Sequence, residues 1–189
     1  MKMIIGIYAN SVVIFFVEER WEKEGGGKNM KNNMFFIINY LFIGISLLLG
    51  ISIRITNVQG CSMNPNLDNG EQLLLNVSAY NYNRFDIIVF QPECEDEGVL
   101  YIKRIIGLPG EHVQIKNNKI FINGREIKEE YGKGKNSVTS HLPYNNVDIV
   151  LKENEYYVMG DNRENSHDSR YSDIGAVKGY LIIGKTFFK

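Results

Sequence analysis

The chain has 189 residues, which is enough for one ordinary domain with appendages. Its formal net charge of -1 and the lack of a basic stripe argue against a nucleic-acid-binding surface. The two cysteines, Cys61 and Cys94, are too few for a disulfide framework and lack metal-ligand spacing, so we expect neither a metal nor another cofactor.

Residues 1–33 are interpreted as a cytoplasmic N-terminal extension. Within it, residues 3–17 are apolar but shorter than the ~20 residues that cross a bilayer, so they form either a poor second span or an artefact of the assigned start. The sequence at Met30 and Met34 is typical of a natural start, because a short basic end is followed there by an apolar run. We therefore predict that translation begins at one of these two methionines.

Residues 34–55 are predicted to be a single transmembrane helix that anchors the chain in the cytoplasmic membrane. The stretch 35–53 is apolar except for one asparagine, two serines and two glycines, and it shows no polar face of the kind that a buried core helix has. Lysines are more frequent before this stretch than basic residues are after it, so the positive-inside rule places the N-terminus in the cytoplasm. Membrane lipid is therefore a predicted partner.

Residues 56–189 are predicted to form an extracytoplasmic, mostly β domain, because no long segment with a 3.6-residue period follows the apolar run. Short apolar runs between turn residues indicate strands at 72–77, 86–91, 99–106, 113–116, 119–122, 147–151, 156–159 and 176–183. Antiparallel strands in a partly closed barrel or in packed sheets would protect the edges. The polar segment 128–146 is predicted to be a mobile loop or a small insertion.

The first candidate functional residue is Ser62, in a short loop that follows the apolar run. Gly60 can adopt positive φ, and Pro65 restricts the backbone around it, so a serine between them can be an exposed nucleophile on a tight turn. Serine in such a loop is most often an ordinary turn residue, and this loop alone does not establish a catalytic site.

A second candidate is Lys103, which lies beside Arg104 in the predicted strand 99–106. Successive residues of a strand point to opposite faces, so one of these two side chains is expected to face inward. Burial lowers the pKa of a lysine amine and makes it the general base that a serine nucleophile requires. The alternative is that Lys103 extends to solvent from an edge strand.

A dense polar loop, residues 160–170, follows the predicted strand 156–159. Its opposite charges would suit a cross-braced loop, and they come from Asp161, Arg163, Asp168 and Arg170. Ser166 in the same loop could hydrogen-bond a neighbouring amine. The histidines are interpreted as surface residues; they are His112, His141 and His167.

Together these segments resemble the signature motifs of type I signal peptidases, a family of serine–lysine peptidases. In chain order the motifs are Gly60-x-Ser62-Met63-x-Pro65-x-Leu67, Arg84-x-Asp86-Ile87-Ile88-Val89-Phe90, Tyr101-Ile102-Lys103-Arg104-Ile105-Ile106-Gly107-Leu108-Pro109-Gly110 and Gly160-Asp161-Asn162-Arg163-x-Asn165-Ser166-x-Asp168-Ser169-Arg170. The short segment 128–146 resembles the compact Gram-positive form. The resemblance implies an extracytoplasmic β domain that removes signal peptides from exported preproteins, near the export channel.

By this resemblance, Ser62 is the nucleophile that forms an acyl-enzyme, and Lys103 is its general base. Ser166 would hydrogen-bond the amine of Lys103. Asp161 would brace Arg104, while the wall beside them would be shaped by Asp168 and Arg170.

The resemblance also implies shallow pockets for the small substrate residues that precede the cleaved bond. The matching positions are Met63, Leu67, Tyr101 and Ile102. Gly60 stands where some members carry a hydroxyl residue that serves as a second oxyanion donor, so the identity of that donor stays open.

Two alternatives to this function are considered. A self-cleaving Ser–Lys peptidase, such as an SOS repressor, carries a DNA-binding helical head, where this chain has its apolar run. A catalytically inactive, membrane-tethered binding domain would not need both Ser62 and Lys103.

Overall fold

The computed structural model describes residues 2–8, 11–17, 37–38, 40–41, 44, 53–129, 131 and 146–187. The chain divides into two compact units. One comprises Met1–Arg54 with Asn76–Ala79, and the other comprises Ile55–Leu75 with Tyr80–Lys189. All the candidate site residues named above belong to the second unit.

The first unit contains a β-hairpin at residues 3–17, the stretch interpreted from the sequence as either a poor second membrane span or an artefact of the assigned start. Strands β1 (Lys2–Tyr8) and β2 (Ser11–Val17) pair antiparallel, with Lys2 opposite Val17. In the predicted anchor, the described residues 37–38, 40–41 and 44 are helical. Among the described residues, no helix is long and apolar enough to cross a membrane. The other residues of the predicted anchor before Ile53 lie outside the described residues. Its last three residues, from Ile53 onward, belong to the next strand.

The strands that follow build two sheets. They are β3 (Ile53–Asn57), β4 (Gln72–Asn76), β5 (Ile87–Phe90), β6 (Tyr101–Gly107), β7 (His112–Lys116), β8 (Lys119–Ile122), β9 (Arg125–Glu126), β10 (Val147–Val150), β11 (Glu155–Met159), β12 (Val177–Lys178) and β13 (Ile182–Thr186). The larger sheet has the order β12-β11-β6-β5-β13-β4-β3, and the smaller sheet has the order β10-β7-β8-β9.

The predicted mostly β, antiparallel architecture is confirmed. The pairs β11–β6, β5–β6 and β13–β5 in the larger sheet are antiparallel, as are β10–β7, β7–β8 and β8–β9 in the smaller one. The hairpin between β7 and β8 turns at Asn117 and Asn118, whose φ angles of 50° and 60° are those that a two-residue hairpin loop requires.

Two strand predictions were wrong in detail. The predicted strand 176–183 is divided into β12 and β13 by a 3-10 turn at Gly179–Leu181. Strand β3 was not predicted, because no turn signal separates it from the preceding apolar run and its first three residues were included in the predicted anchor 34–55. This omission matters, because the end of β3 leads directly into the Ser62 loop.

The central position of β6 decides the environment of the candidate base. Strand β6 lies between β5 and β11, and consecutive residues on it enter two different apolar clusters. Ile106 packs with Val113 and Tyr157 in one cluster, whereas Ile105 packs with Ile88 in the other. Both faces of β6 are therefore covered by other parts of the domain.

Candidate active site

Ser62 lies at the start of a series of tight turns between β3 and β4. The backbone N–H of Asn64 donates to the carbonyl of Cys61, and that of Leu67 donates to the carbonyl of Met63. Gly60 opens the loop with φ of +86°, a conformation that side chains with a Cβ rarely adopt, and its N–H donates to Asn69 Oδ1 at 2.9 Å.

Ser62 and Lys103 meet across the fold although they are far apart in the chain. Lys103 Nζ and Ser62 Oγ are hydrogen-bonded at 2.9 Å, and Nζ also donates to the carbonyl of Ile102 at 2.9 Å. Lys103 is only 4% exposed. The amine therefore lies at the serine hydroxyl from which a general base would remove a proton.

The surroundings of Lys103 suit that role electrostatically. Burial lowers the pKa of its amine to about 8, because the charged form loses water. The negative charges of Asp168 and Asp161 oppose this effect, and the positive charge of Arg170 adds to it. A substantial fraction of the amine is therefore neutral in mildly alkaline solution.

Arg104 points to the opposite face of β6 and is also buried. Its guanidinium forms a bidentate pair with Asp161, with Nε–Oδ1 at 2.8 Å and Nη2–Oδ2 at 2.7 Å. It also donates to the carbonyl of Phe85, and it lies 4.1 Å from the ring centroid of Tyr131. The expectation that only one of Lys103 and Arg104 faces inward was wrong, because both faces of this central strand are covered.

Asp168 is the centre of the loop 160–170. It accepts hydrogen bonds from Arg170 at 2.7 and 2.9 Å, from the N–H of Gly160 at 2.9 Å and from Ser166 Oγ at 2.7 Å. The structure thus differs from the expected hydrogen bond between Ser166 and the Lys103 amine, since the described partner of Ser166 Oγ is Asp168. The contribution of Asp168 to the pKa of Lys103 shows that this carboxylate still acts on the amine electrostatically.

Gly160 allows this loop to approach Ser62 closely. A Cβ at residue 160 would lie 2.2 Å from Ser166 Oγ and 2.5 Å from the carbonyl oxygen of Ser62, which are impossible separations. The N–H of Asn162 donates to the same Ser62 carbonyl at 2.9 Å. Asn162 therefore holds the backbone of Ser62 by a hydrogen bond, and Gly160, two residues earlier, leaves the space for this close approach.

Sequence reasoning missed Glu129, which pairs with Arg163. The two side chains are 1% and 2% exposed, and Arg163 Nη1 donates to Glu129 Oε2 at 2.6 Å. Glu129 and Tyr131 belong to the segment predicted as a mobile loop, but their side chains pack into the domain, which corrects that prediction for these two residues. Residue 130 and residues 132–145 lie outside the described residues. The available signal was that a buried arginine requires a carboxylate partner, but sequence does not say which one.

A groove of about 630 Å³ contains the Ser62–Lys103 pair. One side is formed by residues 56–63, at the end of β3 and in the following loop, and the other by residues 98–103, which lead into β6. Val89, Asn165 and His167 complete the lining. The contribution of the β3 end was not predicted, because the strand itself was not.

The four predicted substrate-binding residues do not all lie in this groove. Met63, Tyr101 and Ile102 line it. Leu67 is 8% exposed and is not among the residues that line the groove.

The cysteines and carboxylates form no metal cluster in the part of the chain that the structure describes. Cys61 and Cys94 are free thiols. Cys61 lines the groove, and its Sγ accepts a hydrogen bond from Asn165 at 3.0 Å.

Comparison with known proteins identifies the family. The model of the family described as signal peptidase, peptidase S26, matches residues 30–189. The chain belongs to this family. It is 32% identical over 170 residues to signal peptidase I of Bacillus licheniformis, across 85% of this chain and 90% of the relative. It is 36% identical over 168 residues to signal peptidase I P of Bacillus subtilis subsp. natto, across 83% of this chain and 89% of the relative.

A crystal structure of a signal peptidase I from Enterococcus faecalis V583 is also similar. Its TM-score is 0.46 at 35% sequence identity, and the match covers 56% of this chain and 96% of that one. The family match and the curated relatives make this chain a hydrolase of the type I signal peptidase class.

Proposed function

We propose that this chain is a membrane-anchored serine endopeptidase that removes N-terminal signal peptides from exported preproteins through a Ser62/Lys103 acyl-enzyme mechanism. The observation that carries the proposal is the 2.9 Å contact between Ser62 Oγ and the buried Lys103 Nζ inside a groove of about 630 Å³. Membership of the signal peptidase family supplies the substrate class.

In the proposed reaction, neutral Lys103 takes the proton of Ser62 as Oγ attacks the scissile carbonyl. The lysine then gives this proton to the leaving amine, and the signal peptide stays bound to Ser62 as an ester. In the second half, Lys103 takes a proton from water, whose oxygen attacks the ester and releases the signal peptide. The N–H of Ser62 is assigned as a donor to the oxyanion.

The remaining charged residues hold this geometry. Asp161 fixes Arg104 on the far face of the strand that carries Lys103, and the Asp168–Arg170 pair stabilises the loop that holds the Ser62 backbone. Ser166 acts through Asp168 in this arrangement. Gly60 supplies no hydroxyl, and its N–H is committed to Asn69, so Gly60 is not assigned as a second oxyanion donor.

The groove supports a preference for small residues before the cleaved bond. Met63 and Ile102 line it beside Ser62, and Met63 is 1% exposed, so its side chain is fixed by its neighbours and does not readily move aside. A precursor with alanine immediately before the scissile bond should be cleaved about 5- to 160-fold faster than one with phenylalanine there, because an overpacked site costs about 1–3 kcal/mol. Equal rates for the two precursors would contradict this assignment.

For the chain as a whole we propose a single-pass anchor within the stretch predicted at 34–55, ending before Ile53, where β3 begins, with the N-terminus in the cytoplasm and the peptidase domain outside. The apolar composition of that stretch supports the proposal, and such an anchor would tether the peptidase domain to the membrane, near the export channel. Protease added to intact spheroplasts should digest the peptidase domain. Protection of the domain until the membrane is dissolved would contradict the orientation.

One experiment separates this function from its alternatives. The purified full chain is incubated in detergent with a preprotein, and the products are identified by mass spectrometry. Cleavage of the preprotein at the end of its signal peptide supports the proposal. Cleavage of the chain alone would indicate a self-cleaving peptidase, and absence of cleavage would indicate a binding domain.

A further inference from the structure

His167 lies in the wall of the groove rather than on a remote surface. It stands between Ser166 and Asp168, both of which are buried in the charged network, and it lines the groove together with Tyr101. Its side chain is 39% exposed, so one part of the ring contacts protein while another part faces the groove. The Ser62/Lys103 reaction as proposed above gives this imidazole no role.

Two contacts from the following turn hold the His167 ring. Nε2 lies 3.0 Å from the carboxylate of Asp173, and the hydrogen bond from His167 lowers the pKa of that carboxyl. An ionised carboxylate can only accept, so Nε2 carries the hydrogen. The ring also packs edge-to-face against Tyr171, with centroids 4.5 Å apart.

The other side of the ring faces Tyr101. His167 Nδ1 lies 3.5 Å from the Tyr101 hydroxyl, and the two ring centroids are 6.1 Å apart. The Tyr101 hydroxyl donates a hydrogen bond to Glu95. Burial and this bond raise the pKa of Tyr101 to about 12, so the hydroxyl keeps its proton at neutral pH. Glu95 therefore holds the Tyr101 hydroxyl by a hydrogen bond, and the His167 ring packs beside Tyr101 from the other side; with Nε2 carrying the hydrogen of the neutral imidazole, this second contact is one of packing rather than a hydrogen bond.

Tyr101 in turn lies next to the general base. The centroid of its ring is 5.0 Å from Lys103 Nζ. The contacts thus run without a gap from Asp173 through His167 and Tyr101 to Lys103.

We propose that His167 is a positioning residue of the peptidase reaction, which holds Tyr101 as a wall of the groove and as the ring that keeps water from the Lys103 amine. This inference rests on the proposed Ser62/Lys103 mechanism.

The consequence of losing His167 has a definite sign. Without the imidazole, Tyr101 is held by Glu95 alone and admits water to the amine, which favours its charged form and raises the pKa of Lys103. Loss of the cation–π contact acts in the opposite direction but is the smaller effect, because burial is the main reason for the low pKa of Lys103. The other ionisable groups near this series of side-chain contacts stay in place. They are Glu95 and Cys94 beside Tyr101, and Asp161, Asp168 and Arg170 beside Lys103.

The test is the pH dependence of kcat/KM for a preprotein, measured on the full chain in detergent between pH 6 and pH 10. For His167→Ala we expect the midpoint to move upward by about 0.5, with a loss of about threefold below it and near-normal rates on the alkaline plateau. KM should rise as well, because Tyr101 also forms a wall of the groove. His167→Gln keeps a donor for Asp173 and a polar group for Tyr101, so it should restore part of the difference.

A double-mutant cycle tests whether His167 acts through Tyr101. Tyr101→Phe keeps the ring but removes the hydroxyl that faces His167, so the double variant should show no larger shift than the larger of the two single variants. His112→Ala is the matched control, because His112 is also paired with an aspartate, Asp148 at 2.6 Å, but on the smaller sheet. Its pH profile should coincide with that of the wild type.

The outcomes distinguish this inference from the function on which it rests. A His167→Ala profile that coincides with the wild type, with unchanged KM, would overturn the positioning role, and so would shifts that add in the double variant. If His167→Ala unfolds at a lower temperature, Asp173→Asn, which leaves the ring in place but weakens its hold, must still shift the midpoint upward. A wild type that does not cleave the preprotein would instead refute the proposed function.

Discussion

The depressed pKa of Lys103 predicts a dependence of stability on pH that one substitution removes. Lys103 has a pKa of about 8 in the folded chain, against an ordinary value of 10.5. Between these values the unfolded chain binds more protons, so the stability contribution of this group increases as pH rises from about 8 to 10.5. At pH 7 the buried charge costs about 3 kcal/mol relative to a neutral amine.

Lys103→Met isolates this contribution, because methionine fills similar volume without a titrating group. Subtracting the unfolding free energy of the variant from that of the wild type cancels every other group that titrates over the same range. We expect this difference to change by about 2.5 kcal/mol between pH 7 and pH 10, in favour of the wild type at high pH. The assay is urea unfolding of both full-length chains in the same detergent, followed by circular dichroism at each pH.

Activity should follow the same ionisation. Neutral Lys103 rises from about a tenth of the population at pH 7 to about nine-tenths at pH 9, so kcat/KM should rise roughly tenfold over that range. Lys103→Arg keeps a charge that does not dissociate, so it should be as inactive as Lys103→Ala. A stability difference that is flat from pH 7 to pH 10, or an active arginine variant, would refute the assignment of Lys103 as the base.

Three further substitutions test the rest of the site. Ser62→Ala should leave less than about 1% of wild-type cleavage with an unchanged unfolding midpoint, and higher activity would remove Ser62 from the mechanism. Gly160→Ala should lower both activity and stability, by about 1–3 kcal/mol for the latter, because its Cβ would meet the Ser62 carbonyl; normal urea unfolding would contradict this. Glu129→Ala leaves Arg163 buried and unpaired and should cost about 3–5 kcal/mol, whereas Glu126→Ala at an exposed pair should cost under about 1 kcal/mol. Equal costs for these two glutamate variants would mean that the buried pair is not required.

Local signals in the sequence predicted much of the β architecture. The Asn117-Asn118 turn and the continuously apolar run that became β5 needed only neighbouring residues to be recognised, and both predictions were confirmed. Strand β3 was missed because no turn residue separates it from the apolar run before it, and a strand at the edge of the sheet gives no pairing signal in one sequence.

The motifs in the sequence predicted the central residues of the site but not the hydrogen-bond and ion-pair partners around them. The motifs singled out Ser62 and Lys103, which the structure joins by a hydrogen bond. The motifs did not indicate that Ser166 donates to Asp168 or that Glu129 is the partner of Arg163. Such pairs are determined by which side chains the fold brings close together, and one sequence does not show this. The motifs also did not indicate that Leu67 is absent from the groove lining, because the geometry of a turn decides which of its apolar residues face the groove.

The alternation of β6 explains how one strand supports both halves of the site. Lys103 and Arg104 are consecutive, so their side chains leave the strand on opposite faces, and each face is covered by different parts of the domain. Lys103 is hydrogen-bonded to Ser62, while Arg104 is paired with Asp161 at 2.7–2.8 Å. Asp161 follows directly after Gly160, whose close approach fixes the Ser62 carbonyl. The Arg104–Asp161 ion pair thus links the strand that carries Lys103 to the loop that approaches Ser62. A substitution of Arg104 should therefore alter the position of Ser62 through this loop.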